Sequence, residues 1–259
     1  MHYLEKDSVR IYYETHGKGG DWVTLVNGYT RPCSDFRMMS SLLVKEGMRV
    51  LVFDNRGAGK TECPGEFSLQ DIVEDIVDLW KVLGVTQSHV VGISMGGGIA
   101  QMLALRTEEN LKSLCLISTS ARLPELQGRA EWPKDEAGVT HRLETYFHPT
   151  FVERNKLVIQ AMARQIAKKN LDGTFSRNAN AQRKAIKNAH IDLEKLRHVK
   201  VPTLIIHGAE DHITPISEAQ FLHELIQGSH LHTFPKAAHL LLAERSKELY
   251  QVVTEFVSS

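Results

Sequence analysis

The stretch VVGISMGGGIAQ, residues 90–101, places four glycines around one serine, Ser94, where a β-branched apolar run gives way to a helical pattern. Glycine inside a helix or strand lowers stability, because it loses the most conformational freedom on folding. Such a cluster is typical of a tight turn, a phosphate-binding loop or a strained corner that presents a reactive hydroxyl. These three interpretations predict different residues elsewhere in the chain.

The phosphate-binding interpretation is poorly matched by the surrounding residues. A Walker loop needs GxxxxGK[ST], and no lysine followed by Ser or Thr stands at that spacing after Gly92. A dinucleotide fingerprint needs GxGxxG, but Ser94 takes the place of the second glycine. The segment DNRGAGKTEC, residues 54–63, contains GAG without the third glycine. The sequence therefore gives phosphate binding little support.

The segment Gly92-Ile93-Ser94-Met95-Gly96 matches GxSxG with a strand pattern before it and a helix pattern after it. A serine on so sharp a turn has strained backbone angles, and its neighbours two positions away pass very close. Side chains at 92 and 96 would clash, while the next two glycines leave room for helix packing. The turn also places the hydroxyl at a helix N-terminus, which favours developing negative charge. The pattern predicts a nucleophilic serine.

The composition is that of an ordinary globular protein of 259 residues, large enough for one α/β domain with an insertion. Its 31 Lys and Arg balance 31 Asp and Glu, so no net field favours nucleic acid or an anionic membrane. The charged start MHYLEKDSVR argues against a secretory signal, and no apolar run approaches the roughly 18 residues of a membrane span. Three widely spaced cysteines favour a reducing compartment. We therefore expect a cytoplasmic protein that needs no metal or cofactor.

Short apolar runs alternate with helical patterns along most of the chain. Runs of this length are typical of strands covered on both faces, as in a parallel sheet. The alternation predicts an α/β fold with a doubly wound, mostly parallel sheet. The predicted strands are residues 9–13, 23–26, 50–53, 90–93, 114–117, 204–206 and 231–234.

The clearest helix signal is SLQDIVEDIVDLWKVLG, residues 68–84. Ser68 and Asp71 have the spacing of a capping box, and Gly84 is placed to end the helix. Apolar residues recur at i, i+3, i+4 and i+7, which predicts one buried face. The predicted stripe is Leu69, Ile72, Val73, Ile76, Val77, Trp80 and Leu83.

The alternation breaks off between about residues 121 and 190, where the pattern is helical. We predict that residues 1–120 and 191–259 form the α/β core and that residues 121–190 form a helical cap. Within the cap, residues 151–190 carry nine basic against two acidic side chains, a net charge of +7. Two interpretations stay open: solvated faces of amphipathic helices, or a charge that attracts an anionic substrate. The basic residues are Arg154, Lys156, Arg164, Lys168, Lys169, Arg177, Arg183, Lys184 and Lys187.

Apart from the insertion, the chain resembles the α/β-hydrolase family over nearly its whole length. The segments that carry the resemblance are VNGYT, LVFDNRGAGKT, VVGISMGGG, VPTLIIHGAEDHITP and FPKAAHLLLAE. The family implies the chain order nucleophile, acid, histidine. Asp211 stands at the acid position after strand 204–206, and the G-x-x-D register favours it over Glu210. His239 stands at the histidine position, after the last predicted strand and the loop PKAAH.

The resemblance also implies an oxyanion hole made of two backbone N–H groups. One belongs to Met95, directly after the serine, and the other to Tyr29 in the loop after strand 23–26. Many relatives carry histidine where this chain has Asn27, so the hydrogen bonding of this loop is expected to differ. The segment 54–59 is similar to a family turn that is architectural rather than catalytic.

The resemblance implies a serine hydrolase that cleaves a small-molecule ester, lactone or thioester through a Ser94–His239–Asp211 triad and an acyl-enzyme. Among family members, the chain is most similar in style to enol-lactone hydrolases and carbon–carbon bond hydrolases. A serine nucleophile argues against haloalkane dehalogenases and epoxide hydrolases. Three alternatives remain: carbon–carbon bond hydrolysis, a cofactor-free haloperoxidase-like activity on the same triad, and a non-catalytic binding module.

Overall fold

The computed structural model describes residues 2–6, 8–123 and 132–258. Its strands are β1 (His2–Lys6), β2 (Val9–His16), β3 (Trp22–Val26), β4 (Arg49–Phe53), β5 (Ser88–Ile93), β6 (Leu111–Ile117), β7 (Thr203–Gly208) and β8 (His230–Phe234). They form one sheet in the order β1-β2-β4-β3-β5-β6-β7-β8. Strand β2 pairs antiparallel with β1 and β4, and all other pairs are parallel. The predicted mostly parallel sheet is therefore confirmed.

All seven predicted strands are present, and the structure adds β1, which the sequence analysis missed. The sequence of β1, HYLEK, has no apolar run, and it lies at the edge of the sheet with mostly exposed or half-buried side chains. Its pairing with β2 depends on the backbone ladder rather than on a buried apolar face. The pattern that reveals buried strands is therefore missing from it.

The helices are α1 (Arg37–Lys45), α2 (Leu69–Leu83), α3 (Met95–Arg106), α4 (Glu136–Glu144), α5 (Pro149–Arg154), α6 (Lys156–Lys169), α7 (Thr174–Lys187), α8 (Leu193–Leu196), α9 (Ile216–Leu225), α10 (Leu241–Glu244) and α11 (Ser246–Ser258). One apolar cluster packs α2, α3 and α9 on one face of the sheet. A second packs α1 and α11 on the other face. The sheet is therefore covered on both sides, as predicted. Among the described helices, none combines the length and apolar character that crossing a bilayer requires.

Helix α2 has the predicted ends. The Ser68 side chain accepts from the Asp71 N–H while the Asp71 carboxylate accepts from the Ser68 N–H, and Gly84 ends the helix at φ +66°. The buried stripe differs from the prediction at its edge. Leu79, outside the predicted stripe, is fully buried, whereas Val77 is only half-buried. The buried face of α2 therefore includes Leu79 and has Val77 at its edge.

Helix α2 also carries a buried acidic group, Asp75. Its carboxylate accepts two hydrogen bonds from the Arg56 guanidinium, at 2.7 and 2.8 Å. Both residues are buried. This pairing raises the pKa of Arg56 despite its burial. The ion pair anchors the turn after β4 to helix α2.

Helices α4 to α7 lie between β6 and β7 in the chain and share an apolar cluster of their own. The cluster includes Trp132, Leu143, Phe147 and Ile159, and Tyr29 and Leu240 from the core pack against it. Residues 124–131, in the first part of the predicted cap, lie outside the described residues. The division into a core and a cap at residues 121 and 190 stays a prediction.

We expect Asp75→Ala to lower the free energy of unfolding by about 3–5 kcal/mol, because it leaves the buried Arg56 charge unpaired. Urea denaturation measures this loss. Asp78→Ala on the same helix is the control, since Asp78 binds Lys6 and Lys81 at the partly exposed surface. That change should cost about 1 kcal/mol or less. Equal losses in the two variants would contradict a specific role for the buried pair.

Candidate active site

The predicted site residues all follow the carboxyl ends of strands. Tyr29 follows β3, Ser94 follows β5, Asp211 follows β7 and His239 follows β8. These strands are parallel, so their carboxyl ends lie along one edge of the sheet, where α/β proteins bind ligands. The topology therefore gathers residues that are far apart in sequence.

Ser94 occupies the strained turn between β5 and α3, with φ +54° and ψ −116°. A Cβ at Gly92 would lie 2.3 Å from the Gly96 carbonyl oxygen, and a Cβ at Gly96 would lie 2.1 Å from that of Val26. Real Cβ atoms do not approach backbone so closely. The predicted clearance role of these two glycines is confirmed.

Ser94, His239 and Asp211 form one hydrogen-bonded chain. The Ser94 Oγ lies 2.9 Å from His239 Nε2, and His239 Nδ1 lies 2.7 Å from Asp211 Oδ2. The other carboxylate oxygen, Oδ1, accepts from the Ile213 and Thr214 N–H groups at 2.8 and 2.9 Å. Asp211 and His239 are buried, and Ser94 is half-buried. This arrangement can orient an imidazole to accept the serine proton.

The surroundings of Asp211 keep its carboxylate charged. Burial acts to raise the pKa of Asp211, but the neighbouring His239 and His207 and the backbone hydrogen bonds outweigh it and leave the pKa below its ordinary value. His207 Nε2 lies 2.8 Å from the Thr214 carbonyl and 3.5 Å from Asp211 Oδ2. Burial lowers the pKa of His207, which favours a neutral ring. The sequence analysis missed His207, whose only signal is a histidine inside the apolar strand β7.

Glu210, the competing carboxylate, faces a different histidine. Its Oε2 lies 2.7 Å from Nε2 of His148, the residue just before α5. The structure therefore brings Asp211, and not Glu210, to His239.

The loop after β3 runs directly beside the serine. A Cβ at Gly28 would lie 3.3 Å from the Ser94 Cβ and 3.9 Å from its Oγ, so the loop that carries Tyr29 passes beside the serine hydroxyl. Asn27 organises the loop from within: its Nδ2 donates to the Pro32 carbonyl and its Oδ1 accepts from the Gly28 N–H, both at 2.8 Å. From the next turn, Asn55 Nδ2 donates to the Asn27 carbonyl at 2.8 Å. An amide at position 27 thus bonds both ends of the loop.

The loop that carries His239 is bonded to the segment after α4. The His239 N–H donates to the Tyr146 carbonyl at 3.1 Å. Glu244, at the end of α10, accepts from the Ala238 and His148 N–H groups, each at 3.1 Å. Burial raises the pKa of Glu244 above its ordinary value. These backbone contacts fix the histidine against the predicted cap, and neither Glu244 nor His148 was found from the sequence.

A cavity of about 310 Å³ opens onto Ser94 and His239. The charged side chains that line its described part, besides His239, are Arg31 and Asp35, which pair with each other at 2.5 Å. The remaining lining is largely apolar. Its apolar side chains include Ile93, Leu123, Trp132, Leu143, Met162, Ile166, Ile186, Ile213, Leu240 and Leu241.

None of the nine basic residues of segment 151–190 lines the described part of this cavity. Arg164 is 71% exposed and pairs with Glu136 at 3.2 Å. Lys184 pairs with Glu66 at 2.6 Å on the surface. Arg183, by contrast, is half-buried and acts electrostatically on Tyr29, which lines the cavity.

We expect Gly96→Ala to disrupt the turn, because its Cβ must displace the backbone of β3. The free energy of unfolding should fall by about 3 kcal/mol, at the upper end for overpacking, and the serine should lose its position. Thermal unfolding and labelling with a fluorophosphonate probe measure the two effects. Gly65→Ala is the control, since nothing lies within 4 Å of a Cβ there. An unchanged Gly96→Ala protein would overturn the clearance argument.

Comparisons with known proteins agree with this geometry. The model of the family described as serine aminopeptidase, S33, matches residues 20–246. The chain is 30% identical to 3-oxoadipate enol-lactonase 1 of Acinetobacter baylyi over 224 residues, which cover 83% of this chain and 81% of that protein. It is 26% identical to 2-hydroxymuconate semialdehyde hydrolase of Pseudomonas putida, over 81% of this chain and 77% of that one.

Among solved structures, the enol-lactonase from Burkholderia xenovorans LB400 superposes with a TM-score of 0.85, covering 99% of this chain and 100% of that one at 23% identity. At this identity the likeness shows the fold alone. The family match and the 30% identical relative show more: the chain belongs to the α/β-hydrolase family.

Proposed function

We propose that the protein is a serine hydrolase that cleaves small, uncharged esters or lactones through an acyl-enzyme. The observation that carries the proposal is the continuous chain from Ser94 Oγ through the His239 ring to the Asp211 carboxylate, at 2.9 and 2.7 Å. It opens onto a largely apolar cavity beside two candidate oxyanion donors. Family membership and relatives named as lactonase and hydrolase support an enzyme rather than a binding module.

In the acylation step, Ser94 Oγ attacks the substrate carbonyl carbon while His239 Nε2 accepts the hydroxyl proton. Asp211 holds the ring through Nδ1 and stabilises the imidazolium. The negative charge that develops on the carbonyl oxygen is stabilised by the Tyr29 and Met95 N–H groups, the latter at the N-terminus of α3. His239 then gives its proton to the departing oxygen. Water attacks the acyl-enzyme in the same way and frees the serine.

The cavity lining supports an uncharged substrate. A carboxylate placed there would lose its hydration against apolar side chains, and the Arg31 guanidinium already has a partner in Asp35. An apolar acyl or alcohol group gains about 25 cal/mol for each Å² that it buries. The earlier alternative, an anionic substrate attracted by the basic segment, is retained only as long-range steering. A cytoplasmic location also stays a prediction.

Hydrolysis of a carbon–carbon bond is the second candidate function. The observation that favours it is the similarity to 2-hydroxymuconate semialdehyde hydrolase, a relative whose name specifies no ester. The same serine, histidine and aspartate would serve both reactions, so a substrate panel must separate them.

We expect wild-type protein to react with a fluorophosphonate probe and to hydrolyse short uncharged esters, and Ser94→Ala to do neither. Asp211→Asn should lower kcat by about 10³–10⁴-fold with little change in KM, because the imidazole loses its oriented tautomer. Glu210→Gln, the adjacent carboxylate, is the matched control and should stay within about twofold of wild type. Labelling of Ser94→Ala, or an inert wild type, would falsify the proposal.

Charge reversal at Arg164 and Lys168 tests the steering idea. Both side chains are exposed, so the double variant to Glu should change kcat/KM for a carboxylate-bearing ester by only a few-fold. The change should disappear at about 0.5 M salt, because screening removes interactions between exposed charges. A neutral ester should be unaffected.

The matched control is Lys195→Glu on α8 together with Arg197→Glu directly after it. Both lie outside the predicted cap, and the pair changes the net charge equally. A large KM effect of the first pair that persists in high salt would instead require direct contact with the substrate.

A further inference from the structure

Gln182, on helix α7, contacts the loop that carries the candidate oxyanion donor Tyr29. Its side chain is fully buried, and both ends of its amide are used. The Oε1 accepts a hydrogen bond from the Thr30 N–H at 2.7 Å, and the Nε2 donates to the Arg56 carbonyl at 2.8 Å. One side chain from the predicted cap therefore connects the turns that follow β3 and β4.

The bond to Thr30 falls where the loop needs support. Thr30 has φ +63°, a backbone conformation that residues other than glycine rarely adopt. Such a conformation persists only when the surroundings hold it. The peptide N–H of Thr30 directly follows Tyr29, so the bond from Gln182 bears on the orientation of the residue that supplies the oxyanion donor.

The Nε2 of Gln182 binds the carbonyl of Arg56, a residue that is itself held in place. Arg56 is fixed by its two hydrogen bonds to the buried carboxylate of Asp75. The next residue, Gly57, passes so close to α7 that a Cβ there would lie 3.2 Å from the Asn178 carbonyl oxygen and from Gln182 Cγ. The amide oxygen of Gln182 is thus held at a defined place.

The loop is also held from within and at its two ends. The Arg31 N–H donates to the Gly28 carbonyl at 3.2 Å, and Asn27 bonds the Pro32 carbonyl and the Gly28 N–H. Asn55 binds the Asn27 carbonyl at the start, and Asp54 accepts from the Cys33 N–H at 2.6 Å at the end. Gln182 supplies a bond at the middle of the arch. Without it, the Thr30 N–H loses its partner. The backbone torsion angles of Tyr29, which relate this peptide to the one that carries the Tyr29 N–H, then gain freedom.

We infer that Gln182 is a positioning residue that sets the direction of the Tyr29 N–H in the oxyanion hole. The inference rests on the proposed serine hydrolysis. Since an oxyanion donor acts mainly in the transition state, loss of Gln182 affects kcat more than KM.

The test compares Gln182→Met, which removes both hydrogen bonds at similar length, with wild type on a neutral ester. Removal of an oxyanion donor costs about 10²–10³-fold in kcat, so its misorientation should cost about tenfold or more. KM should change by less than about twofold. The inhibition constant of phenylboronic acid, which forms a tetrahedral adduct on the serine, should rise in parallel with the loss of kcat. Fluorophosphonate labelling to completion counts the competent serines in each sample.

Lys184→Met is the matched control, because it removes a contact between the same helix and Glu66 without touching the loop. It should keep wild-type kcat and boronate affinity. If Gln182→Met also keeps both, or if both variants lose activity equally, the positioning role is wrong while the proposed hydrolysis stands. If wild type hydrolyses and labels nothing, both proposals fail.

A measurement on wild-type protein covers the case in which Gln182→Met does not fold. The Thr30 amide, bonded to a fully buried side chain, should exchange with solvent deuterium about a hundredfold more slowly than an unstructured amide. Exchange at the unstructured rate would show that the bond does not hold the loop, and would overturn the inference.

Discussion

The backbone of Ser94, held at φ +54° between β5 and α3, determines how closely the surrounding elements must approach. A turn this sharp brings Gly92 within contact of Gly96 and brings Gly96 onto the end of β3. The same closeness places the loop after β3 beside the hydroxyl: a Cβ at Gly28 would lie 3.9 Å from the Ser94 Oγ. The neighbouring strand helps to hold this strained turn in place, since the Ser94 N–H donates to the Ile117 carbonyl of β6 at 2.9 Å. Ser94 is thus positioned by strands β3, β5 and β6, of which β3 and β5 are buried along their whole length.

Asp211 and His239, which form the hydrogen-bonded chain with Ser94, are held by different parts of the structure. Asp211 is held by the turn after β7, where the Ile213 and Thr214 N–H groups donate to its carboxylate. His239 is held differently, since its own N–H and the nearby Glu244 both bond to the segment after α4. The serine and the acid therefore belong to the sheet, whereas the histidine is shared with the predicted cap.

The sequence predicted those features whose physical cause is local or periodic. Parallel strands buried on both faces appear as apolar runs, and the ends of α2 appear as a capping box and a glycine, so both were found. The edge strand β1 lacks such a run and was missed. The side chains that tie loops together could not be found from spacing, since Gln182 and Thr30 are 152 positions apart and Glu244 and His148 are 96 apart. Gln182 left one signal: it interrupts the otherwise small or apolar buried stripe of α7.

The contacts of α7 also separate two roles that the sequence pattern had combined. Its inner face carries Gln182, which reaches the oxyanion loop, and Ile186, which lines the cavity. Its outer face carries part of the basic charge, including Lys184 and Lys187, which is exposed to solvent. Salt screens the charges on the outer face but not a hydrogen bond buried on the inner face. The interactions of the two faces therefore differ in how strongly they depend on ionic strength. The buried amide of Gln182 is therefore the part of α7 that we infer to affect turnover, whereas Lys184 and Lys187 are exposed and do not line the described part of the cavity.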